Sequence, residues 1–118
     1  MAVTFDHGEA EAVARVLAAV AAADGAIKAR EESFLDGFAV AHGVGAHHWI
    51  AVPLDEAALV RAVVDPEKRR EVVRLCLQMA LSDLDYAPAE IALIARVARA
   101  LAVSDGELAA LTEAARRK

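Results

Sequence analysis

Apolar residues recur along this chain at the spacing of an α-helix, and this periodicity limits the fold more than any other feature of the sequence. One face of a first helix is formed by residues at positions i, i+3, i+4 and i+7: Val13, Val16, Leu17 and Val20. We expect this helix near Gly8–Ala22. It should end at Asp24-Gly25, because glycine adopts the left-handed conformation that stops helices.

The rest of the chain predicts further helices with recognisable ends. Asp65-Pro66 combines a capping acid with proline at the first helical position, and Ser104 with Glu107 forms a capping box. The expected helices are Ala29–His42, Asp55 to about Val64, one from Pro66, one from Pro88, and Ser104 to about Ala115. The sequence therefore predicts an all-α fold, a single compact bundle of about six helices.

The two halves of the chain match each other at a shift of 59 positions, under which Asp24 corresponds to Asp83 and Glu31 to Glu90. Corresponding apolar positions include Val13 and Val72, Val16 and Leu75, Leu17 and Cys76, and Val20 and Met79. We infer one domain over residues 1–118 that contains a duplicated three-helix unit, at approximately 8–64 and 66–116. Two such units can bury their apolar faces against each other.

Each half carries one acidic turn between two helices, ADGAIKAREE at Ala23–Glu32 and SDLDYAPAEI at Ser82–Ile91. These turns resemble the pattern Ala-Asp-Gly-x-Ile/Val-x-x-x-Glu of the TerB-like family, which is named for tellurite resistance protein B. TerB-like domains also occur in some membrane-anchored DnaJ-like co-chaperones. The first turn matches through Ala23, Asp24, Gly25, Ile27 and Glu31, and the second through Asp83, Tyr86, Pro88 and Glu90. The second turn departs from the pattern at Leu84, where the family usually has glycine.

The resemblance spans roughly Glu9 to Leu111 and implies a helical bundle with approximate two-fold symmetry and no established enzymatic activity. It also implies a role in stress response, including tellurite resistance. The candidate metal-binding residues that it implies are Asp24, Glu31, Asp83 and Glu90.

Two interpretations of these acids remain open on chemical grounds. If a two-fold axis brings the turns together, converging carboxylates suit a hard cation such as Ca²⁺, Mg²⁺ or Mn²⁺. Glu32 and Asp85 would add oxygens to that site, and the Tyr86 hydroxyl would lie near it. Alternatively, the acids only shape the helix ends. Each glutamate then bonds to the N–H of the cap residue, Lys28 or Ala87, while the aspartates accept backbone N–H groups within the turns.

The other reactive residues favour structural roles. His42, His47, His48 and Trp49 lack the ligand spacing of zinc sites, and Cys76 lies on an inward helix face, where a thiol packs as a small hydrophobe. Lys68, Arg69, Arg70 and Arg74 are typical of a solvated helix face. A metal-dependent enzyme would need a pocket and an open coordination position, and the sequence indicates neither.

Charge and hydropathy limit the partners. Residues 1–59 hold nine acids and three bases, a net charge of −6, whereas residues 60–118 carry +1. The acidic first half argues against nucleic-acid binding and favours a protein partner, or a homodimer through oppositely charged faces. No stretch resembles a signal peptide or is long and apolar enough for membrane insertion, so we expect a cytoplasmic protein.

Overall fold

The computed structural model describes residues 4–23, 25, 27–44, 54–81 and 88–116, and its regular elements within these ranges are all α-helices. They are α1 (His7–Ala21), α2 (Ala29–His42), α3 (Glu56–Ala62), α4 (Pro66–Ala80), α5 (Pro88–Ala100) and α6 (Asp105–Arg116). The predicted all-α fold is confirmed. No helix of the described residues is long and apolar enough to cross a membrane.

Aspartate side chains start α3 and α4 where the sequence predicted helix caps. The Asp55 carboxylate accepts the N–H of Ala58 at 3.0 Å, and the Asp65 carboxylate accepts the N–H of Glu67 at 2.8 Å. Pro66 follows as the first residue of α4, where its missing N–H costs nothing. These local contacts fix where both helices begin.

Reciprocal capping boxes start α1 and α6. The predicted box at α6 is present: Ser104 Oγ accepts the N–H of Glu107 at 3.1 Å, and the Ser104 N–H donates to the Glu107 carboxylate. A second box, which the sequence analysis did not identify, joins Asp6 and Glu9, with both bonds at 2.8 Å. The start of α1 is therefore fixed as firmly as that of α6.

The core is built around α1 and α4. Helix α1 packs against α2, α3, α4 and α5, while α4 packs against α1, α2, α5 and α6. Buried residues therefore occur on nearly every side of α1, and most of them are alanine or valine. Small side chains allow several helices to approach one central helix closely.

Helix bounds and contacts follow the 59-residue shift through the first two helices of each half. The bounds of α4 lie 59 positions after those of α1, and α5 begins 59 positions after α2. The contact of α2 with α4 is matched by that of α5 with α1. The third helices do not keep this register, because Glu56 at the start of α3 corresponds to Ala115 near the end of α6. The duplicated three-helix unit remains a prediction. A duplication of the first two helices requires the matching bounds and contacts described here.

Equivalent turns also end α2 and α5. Gly43 has φ +67°, and Ala102, 59 positions later, has φ +59°. In both turns the following valine donates its N–H five residues back: Val44 to the carbonyl of Ala39, and Val103 to that of Ala98. Ala102 is thus an L-residue in a left-handed conformation that glycine adopts without strain.

Two charged residues at equivalent positions meet where α1 packs on α4. Lys68 Nζ lies 2.8 Å from Glu9 Oε1, and the two residues are 59 positions apart. Glu9 is only 7% exposed. A residue contacts its own equivalent only near a two-fold axis, so an axis relating the halves would pass between these side chains.

The basic residues at the start of α4 make specific contacts and do not form a freely solvated face. Arg69 donates to the carbonyls of Val63 at 2.7 Å, Val60 at 3.2 Å and Leu101 at 3.4 Å. These carbonyls lie at the carboxyl ends of α3 and α5, where a positive charge is stabilising. Arg70 and Arg74 form ion pairs with Glu107 and Glu71.

We predict that Ala102→Gly raises the free energy of unfolding by about 1 kcal/mol, because it relieves left-handed strain at an exposed position. The matched variant Gly43→Ala should lower it by a similar amount, since a Cβ at Gly43 meets no atom within 4 Å and the cost is confined to the backbone. Urea unfolding followed by circular dichroism measures both changes. A loss of stability in Ala102→Gly would contradict this account.

Candidate functional site

The structure describes only part of the candidate site. Glu31, Glu32 and Glu90 lie in the described residues, at the starts of α2 and α5. The other predicted site residues lie outside the described residues: Asp24, Asp83, Asp85 and Tyr86. The geometry of the site is therefore built from its glutamates.

Glu31 is the third residue of α2 and is 4% exposed. The backbone N–H of Lys28, the residue that precedes the helix, donates to Glu31 Oε1 at 3.1 Å. This is the contact expected of a glutamate that caps its own helix. It engages one of the two carboxylate oxygens, so the capping role and a cation-binding role remain compatible.

Glu90 is the third residue of α5 and is 1% exposed. It occupies in α5 the position that Glu31 occupies in α2, as the shift of 59 requires. Burial of a carboxylate is costly unless hydrogen bonds, a helix N-terminus or a cation compensate for lost hydration. Glu31 and Glu90 are therefore buried carboxylates at equivalent helix starts, as is Glu9 at the third position of α1.

Glu32 differs from its neighbour because it is exposed to solvent. Among the described residues, no group of three or more His, Cys, Asp or Glu side chains is close enough to hold a metal ion. A complete cation site therefore needs the turn aspartates in addition to the glutamates.

Among the described residues, His42 and Cys76 have packing roles of their own. His42 Nδ1 lies 3.0 Å from the Phe38 carbonyl, and the His42 ring stacks on Phe38 with centroids 4.2 Å apart. His47, His48 and Trp49 lie outside the described residues. Cys76 is buried as predicted, and burial raises the pKa of its thiol to about 12. A thiol that stays protonated is a poor nucleophile.

Comparison with protein-family models decides the family. The model described as "Tellurite resistance protein TerB" matches residues 54–113. The chain belongs to the TerB family. A search of the curated proteins and a search of the solved structures found no match to the chain.

The TerB match extends from the residues before α3 into α6 and includes the second acidic turn, with Asp83 and Glu90. The first turn lies before the matched residues, although its sequence follows the family pattern more closely. TerB domains are in general non-enzymatic helical modules, and the described residues of this chain form a helical fold.

Three sets of contacts made by charged side chains were not predicted from the sequence: the Asp6–Glu9 capping box, the Glu9–Lys68 ion pair and the carbonyl contacts of Arg69. The Asp6 to Glu9 spacing is that of a capping box and would have revealed the helix start. The opposite charges at Glu9 and Lys68 fall at equivalent repeat positions and would have suggested their contact. The three carbonyl contacts of Arg69 depend on tertiary packing, and no local pattern predicts them.

We predict that Glu31→Ala lowers the free energy of unfolding by about 1 kcal/mol, because the Lys28 N–H loses its acceptor. Glu31→Gln keeps an acceptor oxygen and should retain most of the stability. Glu32→Ala is the matched control on the exposed side of the same turn and should change stability by less than about 0.5 kcal/mol. Chemical denaturation measures all three. Equal losses in Glu31→Ala and Glu32→Ala would argue against a capping role for Glu31.

Proposed function

We propose that this TerB-family chain is a non-enzymatic helical module that binds one divalent cation, Ca²⁺, Mg²⁺ or Mn²⁺, between its two acidic turns. The proposed ligands are Asp24, Glu31, Asp83 and Glu90, with further oxygens from Glu32, Asp85 or Tyr86. The observation that supports the proposal is the burial of Glu31 and Glu90 at equivalent positions.

Electrostatics favour a cation at these turns. A glutamate at the start of a helix is stabilised by the helix dipole, yet burial removes the water that would otherwise solvate its charge. A divalent cation bound by oxygen ligands would compensate for that loss in both halves at once. The bond from Lys28 to Glu31 leaves this role open, because it uses one oxygen of the carboxylate.

A shared site sets a geometric condition on the central helices. Glu9 and Lys68 bring the amino ends of α1 and α4 together, whereas the acidic turns follow the carboxyl ends of these helices. A helix of 15 residues is about 22 Å long. The two turns can hold one ion only if α1 and α4 run side by side from that contact to their carboxyl ends.

The biological role that the family name suggests is stress response, including tellurite resistance. We do not propose that the acidic turns bind tellurite directly, because clustered carboxylates repel oxyanions. The ion would act by fixing the two turns, and thus the surface that they present to a partner.

A second candidate function is a metal-free protein-interaction module. Val40 is 80% exposed on α2, a helix that also presents Glu32 and Asp36 to solvent. The exposed carboxylates near Val40 suit a partner with a basic surface, or a second copy of this chain. In this function the buried glutamates serve only as helix caps.

We predict that Ca²⁺, Mg²⁺ or Mn²⁺ binds with a stoichiometry of one per chain, measured by calorimetry and, for the diamagnetic ions, by NMR shifts of both acidic turns. Zn²⁺ serves as a comparison. Asp24→Asn and Asp83→Asn should each weaken binding at least about tenfold, because each removes a charged ligand of the same ion. Glu31→Gln should weaken binding while the domain stays folded.

The matched control is Asp36→Asn, which removes an exposed acid from α2 outside the proposed ligand set. It should leave cation affinity unchanged. The absence of turn shifts at millimolar cation would refute the cation site and leave the interaction module. Two ions bound independently, one per turn, would refute the shared site.

A further inference from the structure

A cavity of about 260 Å³ lies between α1 and α3. Its surface is mostly apolar, and its apolar lining residues are Ala12, Val16, Leu54, Ala58 and Leu59. Arg15 is the basic residue among those that line the cavity. The cavity therefore combines an apolar wall with one guanidinium group.

The repeat offers an internal comparison for Arg15, because its equivalent 59 positions later is Arg74. Arg74 Nε donates to Glu71 Oε1 at 2.7 Å, and a second guanidinium nitrogen of Arg74 contacts Glu71 Oε2. The second half thus holds a carboxylate against this arginine in a two-point contact, the geometry in which guanidinium binds carboxylate best.

The first half lacks that carboxylate. The equivalent of Glu71 is Ala12, which lines the cavity, and the equivalent of Leu75 is the smaller Val16. Arg15 is exposed and makes no hydrogen bond or ion pair within the part of the chain that the structure describes. The cavity therefore lies beside an arginine whose equivalent holds a carboxylate.

Asp55 is the acid in the cavity lining, and its carboxylate already has a role. It accepts the N–H of Ala58 at 3.0 Å and so caps α3. This bond directs the negative charge of Asp55 to the start of its own helix, and no ion pair joins it to Arg15 among the described residues. Arg15 remains the group in the lining that can recognise an anion.

We propose that this cavity binds a small monocarboxylic acid with a short apolar chain. The ligand carboxylate takes the place that the Glu71 carboxylate occupies beside Arg74 and makes a two-point contact with Arg15. The apolar chain covers Ala12, Val16 and Leu59. Affinity comes from a charge-assisted contact and from burial of the chain, so neither group suffices alone. This proposal does not depend on a cation at the acidic turns.

The test is titration of the full chain with hexanoate, followed in an assigned amide NMR spectrum. Hexanoate should shift the amides of Ala12, Val16, Ala58 and Leu59. Acetate lacks the apolar chain and hexan-1-ol lacks the charge, so both should bind at least about tenfold more weakly. A short peptide that ends in leucine tests whether a protein C-terminus is the preferred source of the carboxylate.

Two variants and one control make the test specific. Arg15→Gln should weaken hexanoate binding at least about tenfold. Ala12→Glu places next to Arg15 the carboxylate that the second half has next to Arg74, and should abolish binding while the fold is retained. Arg61→Gln removes an exposed arginine of α3 that does not line the cavity, and should leave affinity unchanged.

Several results would overturn the proposal. They are the absence of shifts at these amides in millimolar hexanoate, equal binding of hexan-1-ol, and unchanged affinity in Arg15→Gln or in a folded Ala12→Glu. Binding of the peptide without binding of hexanoate would also overturn it, because the ligand would then be a protein segment. Arg15→Gln changes only an exposed side chain, so it keeps the test decisive if Ala12→Glu does not fold.

Discussion

The packing of α1 against α4 is the constraint on which the rest of the structure depends. Each of these helices contacts four others, and the alanine-rich surface of α1 lets those neighbours approach closely. The contact of Glu9 with Lys68 sits at the junction of the two helices and joins equivalent positions of the two halves. Because Glu9 also caps α1, the same carboxylate fixes the start of one helix and its attachment to the next. Helices α2 and α5 are arranged around this pair in matching ways, whereas α3 and α6 do not keep the same register.

The helix starts could be predicted from the sequence because they depend on contacts between residues that are close along the chain. Helix starts at Asp55, Asp65 and Ser104 depend on side chains within three residues of the backbone groups that they bind, so a short stretch of sequence contains all the information. Contacts between distant parts of the chain were not predictable in this way. Arg69 was assigned to a solvated face, yet it joins the carboxyl ends of α3 and α5 to α4. The left-handed Ala102 also escaped prediction, because alanine gives no local indication of that conformation.

The candidate site shows the same division between local and tertiary information. The hydrogen bond from Lys28 to Glu31 follows from the position of Glu31 in the helix and was expected as one of two interpretations. The burial of Glu31 and Glu90 depends on neighbouring helices and could not be deduced from the spacing of the acids. Membership of the TerB family agrees with the motifs, although the matched residues include only the second of the two turns. In the proposed function, the Glu31 carboxylate would cap its helix with one oxygen and bind the cation with the other.

In the proposed function, equivalent carboxylates of the two turns bind one ion together. The most direct measurement is anomalous diffraction from crystals of the full chain grown with Mn²⁺. We expect one anomalous peak per chain, with oxygen atoms of Asp24, Glu31, Asp83 and Glu90 around it. Separate peaks at the two turns, or turns at opposite ends of the molecule with no ion between them, would contradict it.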